Sequence, residues 1–241
     1  MQNSSRFSFF LAALLLALGI GTAGYFIGNT LYNAKVGINV AEVKGLAERR
    51  VEADRAYWTI NYSVTGDSRD ALPDLHATSV ANQKQIVDML QGNGFDAEEI
   101  EPGVLDFRTD EYRDENQKVV DTRYILTGSI EVQTDKVKQV PKVRAKLNEL
   151  VARGLDIQNN APVYYFTKLN AIKPEMLKEA TTNARLAANE FAANAGVKVG
   201  GIRDARQGGF TILDVGENYG DTKKIEKDVR VVTTITFYLT E

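Results

Sequence analysis

Residues 57–64 read YWTINYSV, and this stretch decides the fold because its side chains alternate with a period of two. One face carries Trp58, Ile60, Tyr62 and Val64. The opposite face carries Tyr57, Thr59, Asn61 and Ser63. Such alternation is typical of a strand with one buried face. The sequence therefore predicts a half-buried strand here, around which the neighbouring elements are arranged.

A helix and a hairpin follow this strand. Apolar residues recur at helical spacing over residues 69–93, with Ser68 or Asp67 in the position of an N-cap and with Gly92 and Gly94 ending the helix. Two further alternating stretches, at about 103–113 and 118–133, predict the two strands of the hairpin. The order strand, helix, strand, strand defines a β-α-β-β unit.

A second unit of the same kind is predicted later in the chain. It consists of a strand at 160–168, a helix at 173–195 and a hairpin at 200–240, with a separate helix at 137–153 inserted between the units. The apolar stripe predicted for the long helix is Leu177, Ala180, Ala184, Ala187 and Phe191. We therefore predict an α+β fold, in which helices pack on one face of an antiparallel sheet built from two such units.

An earlier strand is predicted at residues 36–45, with Gly45 ending it. The charged segment 48–54 that follows is interpreted as a turn before the strand at 57–64. No proline-rich or low-complexity linker follows residue 40, so residues 35–241 are predicted to form one domain.

The amino-terminal stretch, residues 7–27, reads FSFFLAALLLALGIGTAGYFI. No charged residue occurs between Arg6 and Lys35, and about 20 apolar residues suffice to cross the hydrocarbon core of a membrane. Residues 1–34 are thus predicted to be a short cytoplasmic tail followed by a transmembrane helix. Positions through the span include Phe7, Leu11, Leu15, Ile20 and Ile27.

Two interpretations of this helix remain open. A cleaved signal would need a small-residue site such as Gly21-Thr22-Ala23, but this site lies inside the apolar run, which favours a retained anchor. Positive charge at Arg6 favours a cytoplasmic amino terminus. We therefore expect a single-pass protein of the inner membrane, with its body in the periplasm or outside the cell.

Composition gives little support to several functional classes. The chain carries 29 Lys and Arg against 32 Asp and Glu, with no basic block that indicates nucleic-acid binding. It has no cysteine, which is compatible with export. His76 is its one histidine and is interpreted as an ordinary helix residue, because a metal site normally uses several His, Cys or carboxylate ligands.

The remaining candidates for chemistry also have simpler explanations. Adjacent carboxylates on a strand point to opposite faces, so neither Glu98/Glu99 nor Asp110/Glu111 is expected to converge on a substrate. Gly200-Gly201 and Gly208-Gly209 do not have the spacing of a phosphate-binding loop; the first pair is interpreted as a turn and the second as a bulge or a close approach of the backbone. The serines Ser63, Ser68, Ser79 and Ser129 lack a nucleophile-elbow context. We expect no catalytic residue, cofactor or metal.

An aromatic group offers the most informative alternative. Its members are Tyr57, Trp58, Tyr62, Tyr164, Tyr165 and Phe166. The simplest interpretation is a core between sheet and helices. The alternative is that Tyr57 and Tyr165 point outward and line a subunit interface or a small apolar pocket.

Several segments in order resemble the SIMPL domain family, also called DUF541. They include Val43-Lys44-Gly45, Glu52-Ala53-Asp54, Glu98-Glu99-Ile100, residues 124–132 and the helix from Glu179 to Gly196. The resemblance covers about residues 38–240. It implies a bacterial envelope protein with an α+β fold and a tendency to form homo-oligomers. Some members are linked to oxidative-stress tolerance, and the family has no established catalytic site.

The leading hypothesis is a non-enzymatic, membrane-anchored envelope protein whose exported domain self-assembles. The alternative is a periplasmic binding module for a small ligand or a partner protein, which a ligand-dependent rise in thermal midpoint would indicate. An enzyme of unfamiliar type is the third hypothesis.

Overall fold

A computed structural model of the protein describes residues 2–35 and 39–240. Its first element, α1, spans Gln2–Lys35, and the part from Leu11 to Tyr32 is long and apolar enough to cross a membrane, with no residue of its most apolar window buried. Phe7 lies in α1 before this part, and the other four predicted positions lie within it. The predicted apolar helix is confirmed; a retained anchor and a signal sequence both meet the same criteria.

The chain forms two compact units. The smaller unit contains residues 1–47, 175–209 and 231–241, and the larger unit contains residues 48–174 and 210–230. The prediction of one exported domain over residues 35–241 stays a prediction.

The predicted α+β class with antiparallel strand pairing is confirmed, but the described strands form two sheets where one sheet was predicted. Short 3₁₀ turns cover Arg69–Ala71 and Ala97–Glu99. The strands and helices after α1 are β1 (Val40–Glu52), β2 (Arg55–Gly66), α2 (Leu72–Gly92), β3 (Ile100–Pro102), β4 (Asp106–Arg113), β5 (Val119–Thr134), α3 (Val140–Ala152), β6 (Asp156–Asn159), β7 (Val163–Tyr165), α4 (Leu169–Asn194), β8 (Lys198–Gln207), β9 (Thr211–Asp214) and β10 (Glu226–Thr240).

The larger unit is organised around β2, as its alternation predicts. β2 pairs antiparallel with β5 from Ala56 opposite Thr134 to Gly66 opposite Tyr124, in a sheet with the order β3–β5–β2–β6. β4 also pairs with β5, and β7 also pairs with β2. The core between this sheet and the helices α2 and α3 contains Trp58, Ile60, Tyr62, Ile86, Leu90, Val143 and Leu147.

Ser68 occupies the predicted N-cap position, at the start of the 3₁₀ turn that leads into α2. Its side-chain oxygen accepts a hydrogen bond from the Asp70 N–H at 3.2 Å. The chain leaves α2 through Gly94, whose φ of 90° lies in the left-handed region that favours glycine. Both ends of the predicted helix are therefore fixed by local chemistry.

The smaller unit corrects the prediction for Gly45. β1 continues through Gly45 as far as Glu52, so most of the predicted charged turn is strand. A Cβ at Gly45 would overlap the Ala180 carbonyl oxygen and lie 2.6 Å from the Ala184 nitrogen. Gly45 thus permits close packing of β1 against α4, and it does not end the strand.

The alanine stripe of α4 is shifted from the prediction. The buried residues are Met176, Ala180, Ala184, Ala188 and Ala192, one every fourth position. Ala180 and Ala184 are predicted correctly, whereas Ala187 and Phe191 are exposed. The row that contacts the sheet follows the i, i+4 ridge of the helix, along which only small residues and Met176 occur.

The prediction that a strand at 160–168 begins the second β-α-β-β unit is also wrong. Only β7 forms there, and it pairs with β2 beside β6. Pro162, which has no backbone N–H, interrupts the segment between β6 and β7. β1 pairs with β10 and is therefore the first strand of the second β-α-β-β unit. This β-α-β-β unit consists of β1, α4, β8 and β10.

Candidate functional site

The structure brings Tyr57 and Tyr165 together on the surface of the larger unit. Tyr165 lies opposite Arg55, and Tyr57 lies opposite Val163, so the tyrosines are diagonal neighbours on β2 and β7. Their ring centroids are 5.7 Å apart at an angle of 78°, an edge-to-face contact. Tyr57 is 41% exposed and Tyr165 is 38% exposed. The two residues predicted to point outward do so as a pair.

These tyrosines line a shallow cleft of about 520 Å³, here called the tyrosine cleft, together with Val163, Phe166 and Thr167. The Gln133 side-chain amide donates a hydrogen bond to the Tyr57 hydroxyl at 3.2 Å. The other large members of the aromatic group, Trp58, Tyr62 and Tyr164, are buried. The group therefore divides into a core set and a surface set, and the surface set can contact another molecule.

Asp54 fixes one wall of the tyrosine cleft. Its carboxylate accepts hydrogen bonds from the Thr167 backbone N–H at 2.6 Å and from the Thr167 hydroxyl at 2.9 Å. Its own N–H donates to the Tyr165 carbonyl at 2.9 Å. Burial acts to raise the pKa of Asp54, but the bonds from Thr167 and the charge of Lys168 outweigh it and lower the pKa. The ionised carboxylate of Asp54 thus holds Thr167 in place as part of the cleft wall.

A larger cavity of about 880 Å³ lies nearby and shares Phe166 with the cleft. Five of its lining residues are lysines, and we call it the lysine groove. Most of their charge is compensated: Lys136 bonds to Asp96 and Glu99, Lys138 to Glu52, and Lys168 lies 3.7 Å from Asp54. These pairs connect the start of α3 to its surroundings, and we assign the groove a structural role.

The two candidate carboxylate pairs are engaged in hydrogen bonds and ion pairs with their neighbours. Glu98 and Glu99 lie in a 3₁₀ turn, not on a strand, and Glu99 accepts bonds from Lys136, Thr134 and the Asp96 N–H. Burial acts to raise the pKa of Glu99, but these bonds lower it. Asp110 and Glu111 on β4 pair with Arg108 and Arg113. Among the described residues, no group of three or more His, Cys, Asp or Glu side chains could hold a metal ion.

The histidine and serines are dispersed. His76 is exposed on α2, and Ser79 is buried on the same helix without a side-chain hydrogen-bond partner among the described residues. Ser63 donates to Asp156 at 2.5 Å, and Ser68 caps the turn before α2. Ser129 lies on β5, where its carbonyl accepts the Gly103 N–H. These positions do not assemble the Ser–His geometry that nucleophilic catalysis requires.

The two glycine pairs have structural explanations. Gly200 and Gly201 lie within β8, where the pairing with β10 is irregular, so the predicted turn is wrong. The Gly208 N–H donates to the Val232 carbonyl at 2.8 Å, and a Cβ on Gly208 would lie 2.6 Å from that oxygen. The predicted close approach at Gly208 is therefore confirmed.

Sequence reasoning missed a buried ion pair. Lys227 on β10 is 0% exposed and donates to the Asp214 carboxylate and to the Asp221 carbonyl, each at 2.5 Å. Asp214 also accepts the backbone N–H groups of Lys223 and Lys224. Burial acts to raise the pKa of Asp214, but these bonds lower it. The signal was weak, because Lys227 occupies one inward position in an alternation whose other inward positions are apolar apart from Thr233.

A family model for SIMPL, described as a protein of unknown function (DUF541), matches residues 41–234. The chain belongs to the SIMPL family. The SIMPL domain thus covers most of the chain after α1.

Other comparisons add no argument about function. No curated protein matches this SIMPL chain. A crystal structure from Burkholderia cenocepacia, provisionally assigned as an amidohydrolase/peptidase, matches with 14% identity and a TM-score of 0.20 over 56% of this chain. The match covers 34% of that protein, so the SIMPL chain spans about a third of its length. A TM-score this low does not support a shared fold.

Residues that carry the SIMPL resemblance have structural contacts. Gly45 allows the close approach to α4, and the Asn183 amide donates to the Leu46 carbonyl at 2.8 Å. Glu52 pairs with Lys138, and Asp54 holds Thr167. The motif positions of the SIMPL domain therefore explain its packing, and its candidate binding surface lies at the neighbouring tyrosines.

Proposed function

We propose that this SIMPL protein is a non-enzymatic envelope protein that α1 anchors in the inner membrane and whose exported domain self-assembles through the tyrosine cleft. The observation that carries the proposal is the pair of partly exposed tyrosines in contact with each other on one surface. In the family context, such an assembly contributes to tolerance of oxidative or envelope stress.

The composition of the cleft supports an interface with a second copy. Tyrosine is enriched at interaction hot spots because it buries a large apolar area and keeps a hydroxyl for hydrogen bonding. Tyr57 and Tyr165 lie side by side on one surface, so a second copy can contact both rings at once. This arrangement favours contact between copies at this place.

The location is supported by α1 and its flanking charges. The apolar part from Leu11 to Tyr32 has the length of a single membrane crossing. Arg6 precedes it, and positive residues favour the cytoplasmic side. We therefore expect the amino terminus inside and residues 35–241 in the periplasm or outside the cell.

The proposal is tested by measuring the mass of the full-length protein in a nonionic detergent by light scattering after size exclusion. We expect a discrete oligomer for the wild type and a lower mass for the double variant Tyr57→Ser/Tyr165→Ser at equal concentration. The matched control is Tyr112→Ser/Tyr219→Ser, which removes two exposed tyrosines elsewhere in the larger unit.

A protein that starts at Lys35 should form the same assembly if the exported domain carries the interface. A monomeric wild type would contradict self-assembly, and an unchanged mass for the Tyr57/Tyr165 variant would contradict the tyrosine cleft as its site.

A further inference from the structure

The larger unit contains another cavity, of about 760 Å³, that the proposed assembly does not use. We call it the Tyr164 cavity, because Tyr164 on β7 lines it. Tyr164 is only 4% exposed, so its ring is fixed in the wall of the cavity. Among the described residues, the fully buried side-chain atoms without a partner belong to Tyr62 and Ser79, and the Tyr164 hydroxyl is not one of them. This hydroxyl is therefore accessible from the cavity, where it can donate a hydrogen bond to a ligand.

Arg144 on α3 contributes a positive charge to the same cavity. Its guanidinium donates to the Asn159 side-chain oxygen at 2.9 Å and to the Asn159 carbonyl at 3.3 Å. Both acceptors are neutral, so these bonds orient the guanidinium without compensating its charge. Burial raises the pKa of Tyr164, and the positive charge of Arg144 partly opposes that rise, as expected for two neighbouring groups.

The remaining charged residues around the cavity leave it positive. Lys223 and Lys224 line it, with Glu226 as the carboxylate among the lining residues. Lys224 pairs with Glu217 at 3.0 Å, whereas the Lys223 ammonium has no acceptor among the described residues. An anion that enters this cavity would therefore meet uncompensated positive charge.

The cavity walls are largely apolar and held in place. Pro141, Pro162 and Ile225 supply three of the apolar lining residues. The β9–β10 loop forms one side, and the buried pair of Lys227 with Asp214 fixes it. A Tyr164 N–H bond to the Thr222 carbonyl at 2.8 Å joins the loop to β7. The cavity is thus preformed, with a size that suits small organic ligands.

We propose that the Tyr164 cavity binds a small amphipathic anion, whose carboxylate or phosphate group contacts Arg144 and the Tyr164 hydroxyl and whose apolar body packs against Pro141, Pro162 and Ile225. A planar guanidinium and a tyrosine hydroxyl are both donors that suit anionic oxygens. An uncharged ligand of the same shape leaves the guanidinium uncompensated, so the anionic group determines selectivity.

The test uses the full-length protein in a nonionic detergent and titration calorimetry with three probes that share one apolar body. Hexanoate carries a carboxylate, hexyl phosphate a phosphate and hexylammonium a positive charge. We expect saturable binding of at least one anion with a dissociation constant on the order of 1 mM, and no binding of hexylammonium. Preference for hexanoate indicates a carboxylic acid, and preference for hexyl phosphate indicates a phosphate monoester or lipid phosphate.

Two variants assign the binding to this cavity. Arg144→Gln should weaken anion binding about tenfold or more, since it removes a charged donor. Tyr164→Phe keeps the buried ring and should weaken binding about fivefold. The control Lys142→Gln removes an exposed charge from the lysine groove on the same helix and should leave binding unchanged. Circular dichroism checks that each variant is folded.

The proposal is overturned if neither anion binds, if hexylammonium binds as tightly as the anions, or if Tyr164→Phe and Arg144→Gln bind like the wild type. Because the tyrosine cleft and this cavity use different side chains, anion binding and oligomer mass are measured independently. Loss of binding in Arg144→Gln with an unchanged oligomer separates this site from the proposed assembly.

Discussion

The two units use the same strand and helix order but pack it differently. In the smaller unit, α4 buries a row of alanines together with Ile235 and Phe237 of β10, and Gly45 brings the backbone of β1 close to the helix. In the larger unit, β2 buries Trp58 and Tyr62 beneath α2 and α3. One unit is packed through small residues, and the other through large aromatic ones.

This difference explains where the candidate surfaces lie. Close backbone contact through glycine and alanine leaves little space between a helix and a strand. The larger unit adds β6 and β7, two short strands separated by Pro162 that pair with β2, and Tyr165 of β7 contacts Tyr57 of β2 at the surface. The tyrosine cleft, the lysine groove and the Tyr164 cavity are all lined by residues of the larger unit. The candidate sites are therefore associated mainly with the elements that the larger unit has in addition to its β-α-β-β unit.

The largest expected effect comes from the buried ion pair of the larger unit. Lys227→Met leaves Asp214 buried without its cation, and we expect the free energy of unfolding to fall by about 3–5 kcal/mol. Urea unfolding followed by the fluorescence of Trp58, the one tryptophan, measures this loss in the larger unit. The control Lys224→Met removes an exposed lysine paired with Glu217 and should cost about 1 kcal/mol or less. Equal losses in the two variants would contradict a special role for Lys227.

The next effect tests the close packing of the smaller unit. Gly45→Ala places a methyl group against the Ala180 carbonyl and the Ala184 nitrogen, and neither backbone atom can move freely. We expect a loss of about 1–3 kcal/mol, the usual cost of overpacking. Gly201→Ala is the matched control, because a Cβ there has nothing within 4 Å. Thermal unfolding followed by circular dichroism compares the two; similar midpoints would show that β1 tolerates a side chain at this position.

Much of the fold could be predicted from local patterns. The alternation around Trp58 gives β2, and the chemistry of Ser68 and Gly94 gives both ends of the α2 region. Outward placement of Tyr57 and Tyr165 also follows from alternation, because each belongs to the face opposite a buried neighbour. These features depend on a few consecutive residues, which a sequence displays directly.

The remaining features depend on contacts between distant residues. Gly45 resembles a strand end until Ala180 and Ala184 are seen beside it. The segment around Val163 has the residues of a long strand, but Pro162 and the pairing with β2 reduce it to three residues. Lys227 meets Asp214 only because β9 and β10 pair. No periodicity identifies such partners, so the first strand of the second unit and the Tyr164 cavity could not be predicted.

The smallest expected effect concerns pH and again separates the units. Asp54, Glu99 and Asp214 have lowered pKa values and all lie in the larger unit. A carboxylate whose folded pKa is lowered stabilises the fold above its unfolded pKa, and this contribution disappears as the pH falls through the folded pKa. Trp58-monitored stability should therefore fall as the pH drops below about 4.

Asp54→Asn removes one of these titrations and should cost about 1 kcal/mol at pH 6, because its bonds from Thr167 lose their charged acceptor. It should also make stability depend less steeply on pH between pH 6 and pH 3. Gly45→Ala lowers stability through packing in the smaller unit and should keep the wild-type pH dependence. If both variants respond to acid alike, the Asp54 carboxylate is not the source of the acid sensitivity, and the pH dependence would not distinguish the two units.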